Sequence, residues 1–110
     1  MTTNLPPVPA KLLEKLRDYP DHIERLQEVL NIVAASAPSI IPRLERAIEA
    51  LQGRLGTFMV EARRELNQAM ASGDPSLIAA AEAKLGLMSQ IRLKHVWMTD
   101  KAFSGYFSGA

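Results

Sequence analysis

The sequence predicts an all-α protein, a helical bundle built on a long antiparallel helical hairpin with two shorter helices before it. Two observations predict this fold. Apolar residues recur in steps of three and four between residues 44 and 62, and a strong turn signal at residues 72–75 separates this stretch from a second apolar one. The long helices are expected at about 42–72 and 75–100. The first carries a coiled-coil-like seam of Leu44, Ile48, Leu51, Leu55, Phe58 and Ala62.

The turn between the two long helices is specified residue by residue. Gly73 suits the left-handed position that ends a helix, because it has no Cβ to clash there. Asp74 is a favoured N-cap, and Pro75 suits the first position of a new helix. The chain is therefore expected to reverse direction at this point, which makes the two long helices neighbours.

Two shorter helices are expected before the hairpin. The first runs from about Pro9 to Asp18, and Pro20 ends it and opens the second. Pro38 and Pro42 disfavour helical geometry in the residues before them, so a bend follows the second helix. The apolar stripes are Leu12, Leu13 and Leu16 in the first helix, and Ile23, Leu26, Leu30, Val33 and Ala37 in the second.

Two features of the long helices need an explanation beyond a single apolar seam. Gly53 and Gly56 lie inside the first, where each costs about 1 kcal/mol relative to alanine. Either another helix approaches closely there or the helix kinks. The second long helix is expected to reach at least Met98, or as far as Phe103. Its apolar surface is broad enough to lie at the centre of the bundle or to contact another protein.

Three segments are expected along the chain: a flexible, proline-rich arm at 1–9, a helical bundle domain at 10–98 and an aromatic tail at 99–110. The arm contains three prolines between Leu5 and Pro9, which favour an extended, polyproline-like conformation.

Composition excludes several classes of protein. The chain has 110 residues, a formal net charge of +1 and no cysteine, so disulfides and cysteine-ligated metals are excluded. Its longest uncharged run, residues 29–42, spans 14 residues and contains two prolines. A membrane-spanning helix needs about 20 apolar residues, so no membrane span is expected. The first residues also lack the pattern of a secretory signal peptide, and a cytoplasmic location is expected.

The aromatic tail is the most unusual segment. Four of the six aromatic residues fall within eleven positions: Trp97, Phe103, Tyr106 and Phe107. Aromatic side chains serve as anchors at protein interfaces, so these four are the predicted partner-binding residues. The alternative is that the tail folds back and caps the open end of its own bundle or of a neighbouring one.

Basic residues raise a second possibility, a nucleic-acid-binding regulator that acts as a helical dimer. Its contacts would be Arg63 and Arg64, with Arg92 and Lys94 on the second long helix. Against this, acidic residues are interspersed, and charge is balanced along the chain, which disfavours binding driven by counterion release.

No catalytic, cofactor or metal motif is present. His22 lies near Asp18, Asp21 and Glu24, but zinc sites use several ligands at defined spacing, so an exposed histidine is expected there. We therefore expect no enzyme activity, no cofactor and no metal. The predicted function is that of a noncatalytic protein–protein interaction module, such as a small adaptor, a chaperone-like subunit or a protein inhibitor, which forms a homodimer.

Overall fold

The computed structural model describes residues 5–108 and is all-α over that range, with no β-strand among these residues. The helices are α1 (Ala10–Lys15), α2 (Pro20–Ala35), α3 (Arg43–Ser72), α4 (Pro75–Ile91) and α5 (Lys101–Ser108), and a short 3₁₀ turn spans Lys94–Val96. The predicted hairpin is confirmed: α3 and α4 lie against each other along their length, and α2 and α5 pack on α3.

The turn between α3 and α4 forms as its residues predict. Gly73 has φ +71°, and its N–H donates hydrogen bonds to the carbonyls of Ala69 and Met70. Asp74 Oδ1 accepts from the N–H of Ser76 at 2.9 Å, which caps the start of α4. Both helix ends at the tip of the hairpin are therefore satisfied by local groups, without help from the rest of the protein.

The core lies at the end of the hairpin that is away from this turn. All of α1, α2 and α5 contribute to it, together with the first two thirds of α3 and the end of α4. Leu13 and Ala37, expected on apolar stripes, are exposed instead; Ala37 lies beyond the end of α2. The buried residues are Val8, Leu12, Leu16, Leu26, Leu30, Val33, Ala47, Leu51, Leu55, Phe58, Ala62, Met88, Ile91, Trp97, Phe103 and Phe107.

Helix α4 ends at Ile91, earlier than the sequence pattern predicted. Leu93 is extended, with ψ 117°, and the chain then turns back so that the indole Nε1–H of Trp97 donates to the carbonyl of Ile91 at 2.9 Å. The expected continuation to Met98 or Phe103 is wrong because this buried hydrogen bond satisfies a carbonyl at the end of α4. The separate helix α5 then carries Phe103 and Phe107 back to α3.

The two terminal segments belong to the same core as the bundle. Residues 5–9 are extended, as expected, but they lie against α2: Val8 is buried, and Gln27 Nε2 donates to the carbonyl of Pro6 at 2.7 Å. Phe103 and Phe107 in the tail are buried as well. The boundaries expected at 9 and 98 therefore do not separate packed chain from unpacked chain. Residues 1–4 of the arm and 109–110 of the tail lie outside the described residues.

Gly53 and Gly56 do not mark a close approach of another helix. A Cβ added at either position would meet no atom within 4 Å, and α3 continues unbroken through both. The expectation of close packing at these residues is wrong because both face open space.

Candidate interaction surface

The four predicted partner-binding aromatic residues occupy two different environments. Trp97, Phe103 and Phe107 are buried, and neighbouring rings in this group meet edge to face at centroid distances of 6.2 and 5.5 Å. These three form a continuous aromatic cluster in the chain's own core, as the alternative of a tail folded back on its own bundle described. A partner that meets the folded chain would not reach them.

Tyr106 is the exposed member of the four, with 37% of its surface accessible. Its ring lies 5.0 Å from that of Phe107, and it lines a shallow groove of about 300 Å³. The other residues of this groove come from the N-terminal segment and the end of α2: Leu5, Pro6, Asn31, Ala34 and Ala35.

The four basic residues considered for nucleic-acid binding are not brought together into one patch. Arg63 and Arg64 are exposed neighbours on α3. Arg92 lies over Met59, with its Nη1 3.6 Å from the sulfur. Lys94 lines a different groove, which it shares with the two carboxylates of Glu45 and Glu49. The nucleic-acid function therefore stays a prediction from the sequence.

A larger surface that the sequence did not single out lies at the outer end of the hairpin. We define the hairpin arm as residues 63–72 of α3 and 75–86 of α4. Ala69 is the one buried residue of the hairpin arm. Two of its large apolar side chains, Leu77 and Met70, are more than half exposed. Toward the other end of the hairpin, α2 and α5 pack on α3, α1 contacts α4, and the buried apolar residues of α3 and α4 belong to the core. The hairpin arm, with its one buried residue, is by contrast a largely uncovered two-helix segment.

One side of the arm forms a groove of about 450 Å³. Its floor is made of small residues, Ala69 from α3 and Ala80 and Ala81 from α4, while Leu77 stands at the end near the tip. Tyr19 closes the opposite end. We call this concavity the arm groove; its full lining is Tyr19, Glu65, Gln68, Ala69, Leu77, Ala80, Ala81 and Lys84.

The arm groove continues the surface on which α2 is seated. Arg25 in α2 pairs with Glu61 in two hydrogen bonds of 2.7 and 2.8 Å, and the ring of His22, one turn earlier, lies tilted against that of Phe58. Tyr19, just before α2 begins, lines the groove. Beyond the start of α2, the surface between α3 and α4 is open toward the tip.

An ion pair fixes the register of the two helices along the groove. Lys84 Nζ lies 2.9 Å from Glu65 Oε1 and 5.3 Å from the centroid of the Tyr19 ring. The pair neutralises two charges that would otherwise face the groove. The groove wall is thus formed of methyl groups, an aromatic ring and a paired charge, and Gln68 supplies a polar amide.

A buried histidine lies just below the closed end of the groove. His22 is 9% exposed, and its Nε2 atom is buried without a hydrogen-bond partner. Burial lowers the pKa of His22, and the nearby cations Lys84 and Arg25 lower it further, while Glu61 and Glu65 oppose them. The expectation of an exposed histidine is wrong, because the rings of Phe58 and Tyr19 enclose it at 4.3 and 5.7 Å.

The bidentate pair beside His22 changes the titration of its acidic partner. Hydrogen bonds from the Arg25 guanidinium lower the pKa of Glu61. The guanidinium also lies 4.7 Å from the centroid of the Phe58 ring, so it contacts both the carboxylate and an aromatic face.

Among residues 5–108, no group of three or more histidine, aspartate or glutamate side chains is arranged to hold a metal ion. Within the same residues, no helix combines the length and apolar character that crossing a membrane requires.

The sequence held one signal for the arm groove, the alanine-rich run 79–83. Small residues on adjacent helices leave room for close packing. Nothing in the run indicated that one side of it would stay uncovered. In comparisons with known proteins, no family model, curated protein or solved structure matches this chain.

Proposed function

We propose that this chain is a noncatalytic protein–protein interaction module that binds an amphipathic helix in the arm groove. The observation that carries the proposal is the arm groove itself: α2 packs on α3 as far as Tyr19, and beyond Tyr19 the groove between α3 and α4 runs on, uncovered, toward the tip. An exposed apolar surface with a polar rim is typical of interaction sites.

The shape of the groove favours a helix as the occupant. Its floor of Ala69, Ala80 and Ala81 allows a second helix axis to come close, and a helix can lay an apolar stripe into such a channel. The segment of α3 from Glu65 to Ser72 is about 10 Å long at 1.5 Å per residue, which matches two turns of a bound helix.

The residues of the groove favour an occupant with an apolar stripe and a polar rim. Lys84 is already paired with Glu65, so the bound helix needs no buried charge opposite it. Gln68 offers an amide that both donates and accepts at the rim. Leu77 and the ring of Tyr19 supply the larger apolar contacts at the two ends.

Site-specific photocrosslinking tests the proposal. A photoreactive benzoylphenylalanine in place of Ala80, which lines the groove and is exposed, should form a covalent adduct with a helical segment of a bound protein. The matched control carries the same group in place of Ala79, an exposed neighbour about 100° around α4 that does not line the groove. Adducts should be strong at 80 and weak at 79, and peptide mass spectrometry should map them to residues with helical spacing.

Equal adduct yields at the two positions, or none at 80, would remove the arm groove as the binding surface. A chain that crosslinks through Tyr106 but not through position 80 would instead favour the aromatic tail as the contact.

A further inference from the structure

We infer that the helix bound in the arm groove comes from the hairpin arm of a second copy of this chain, so that two arms pack antiparallel around a two-fold axis near Ala69 and Ala80. This inference rests on the proposed function, since it names the occupant of the same groove. The arguments come from the distribution of charge, the placement of small and large residues and the area available.

Charge along the arm is self-complementary. Glu65 and Lys84 neutralise each other, and the other basic residues of the arm, Arg63 and Arg64, lie at its base; Glu82 lies level with residue 67, on the base side of Ala69, and does not line the groove. The carboxylate of Asp74, which caps α4, adds negative charge at the tip. An antiparallel pair of arms places each acidic tip against the basic base of the other copy. A parallel pair would place like charges side by side, which is unfavourable.

The register of the hairpin locates the axis. The Glu65–Lys84 bridge sets these residues level with each other, and each step along a helix advances about 1.5 Å. The level midway between Arg64 and Asp74 falls at Ala69, opposite Ala80 and Ala81. A two-fold axis there makes the smallest residues of the groove meet, which permits close approach of the helices.

The same axis gives the exposed leucine of the arm a place to bind. Leu77 is 53% exposed and stands about three residues from the axis toward the tip. The two-fold rotation places this Leu77 against the other copy's arm, about three residues from the axis toward the base. There it lies beside the other copy's Glu65–Lys84 bridge and Tyr19. Each copy thus inserts one leucine into the closed end of the other's groove, and the interface uses the same patch twice, as a two-fold dimer requires.

The area fits only a weak, transient dimer. Two helices of about 12 residues are about 18 Å long and about 20 Å wide together, so mutual cover removes about 360 Å² from each copy and about 700 Å² in total. This is below the range of specific, stable interfaces, which bury about 1,200–2,000 Å². The dimer should therefore dissociate on dilution rather than persist as an obligate pair.

Sedimentation equilibrium of the full chain tests the inference. The weight-average mass should rise from 12.1 kDa toward twice that value as concentration increases. Because residue 80 lies next to its own counterpart across the axis, Ala80→Glu and Ala80→Lys should each weaken self-association at least about tenfold through like-charge repulsion. An equimolar mixture of the two variants should associate again, since the introduced charges then have opposite signs.

The matched control is Ala79→Glu, which adds the same charge to the same helix on a side that does not line the groove. It should associate as the unmodified chain does, and circular dichroism should show unchanged helicity in all variants. If a variant unfolds, deuterium exchange of the unmodified chain replaces it: amides at 63–86 should become more protected as concentration rises.

A chain that stays monomeric at all concentrations overturns the inference, and so does equal weakening by Ala79→Glu or a mixture of variants that fails to associate. The outcome for the proposed function is separate. Adducts at position 80 with a different protein, from a chain that sediments as a monomer, would support groove binding and remove the second copy as its occupant.

Discussion

Asp100 and Ala10 are 90 positions apart in the chain and are joined by a hydrogen bond of 2.8 Å from the backbone N–H of Ala10 to Asp100 Oδ2. The other oxygen, Oδ1, accepts from the N–H of Phe103 at 2.9 Å. One carboxylate thus satisfies backbone donors at the start of both α1 and α5, and a negative charge is favoured at these helix ends. The first and last helices are therefore held by the same side chain.

Removal of this carboxylate should destabilise the fold. We expect Asp100→Ala to lower the free energy of unfolding by about 1–2 kcal/mol, because two helix-end donors lose their acceptor. Asp100→Asn should lie between, since an amide oxygen can still accept one of the two bonds. Denaturant titration followed by circular dichroism measures the difference. The control, Asp18→Ala, removes an exposed carboxylate and should change stability by less than about 0.5 kcal/mol; equal effects at 18 and 100 would contradict the capping role.

Substitution of the tail aromatics should separate core residues from surface residues. Phe103→Ala should cost about 3–5 kcal/mol, because it removes a fully buried ring that contacts Trp97 and Phe107. Tyr106→Ala should cost about 1 kcal/mol, since it removes a partly exposed ring and its edge-to-face contact. Thermal and denaturant unfolding measure both. A Phe103→Ala chain as stable as the Tyr106→Ala chain would mean that α5 does not pack on α3.

Stability should fall with acidification through His22. Its pKa in the folded chain is below the ordinary value of 6.5, because burial and the cations Lys84 and Arg25 disfavour the charged imidazolium. The unfolded chain therefore takes up the proton first, so the stability contribution is complete above pH 6.5 and is lost as pH falls from there toward the folded pKa. The lowered pKa of Glu61 acts in a separate window below 4.5.

Denaturant titrations at intervals between pH 8 and pH 5 check this dependence. His22→Phe and His22→Gln should both flatten the stability profile in that range, whatever their absolute stability, because neither side chain titrates. An unchanged slope in the two variants would assign the effect to another group. A rise in the stability of the unmodified chain on acidification would contradict the sign.

Glycine replacement within α3 should stabilise the protein. Gly53→Ala and Gly56→Ala should each raise the free energy of unfolding by about 1 kcal/mol, since both glycines are inside a regular helix with open space beside them. Gly73→Ala should instead lower it by about 1–2 kcal/mol, because its φ of +71° is strained for any residue with a Cβ. Differential scanning calorimetry gives the direction in each case, and a destabilised Gly53→Ala chain would indicate a contact on the exposed side of α3.

The hairpin could be predicted from the sequence because its signals are local. The seam that includes Leu51, Leu55 and Phe58 follows helical periodicity. Gly73 and Asp74 are the residue types that the backbone geometry of this one turn favours. Such features need no knowledge of the rest of the fold.

The end of α4 and the arm groove could not be predicted in the same way. Trp97 continues the apolar pattern of α4, and only its position in three dimensions shows that its indole reaches back to Ile91. The alanine-rich run at 79–83 gives little directional pattern, because all its residues except Glu82 are alanine. His22 looks like a surface residue beside acidic neighbours, and its burial depends on Phe58, 36 positions later. The end of α4 depends on how the chain turns between Ile91 and Trp97, and the burial of His22 depends on a helix that follows it much later in the chain.

Val8 and helix α5 share one core, and this affects how the protein folds during its synthesis. Val8 emerges from a ribosome almost 100 residues before Phe107, yet the two belong to the same cluster of buried side chains. The α3–α4 hairpin can form while translation is still under way, since its contacts are local. Closure around Trp97 must wait for α5, so the nascent chain carries an unfinished, water-accessible interior until Phe103 and Phe107 have been synthesised.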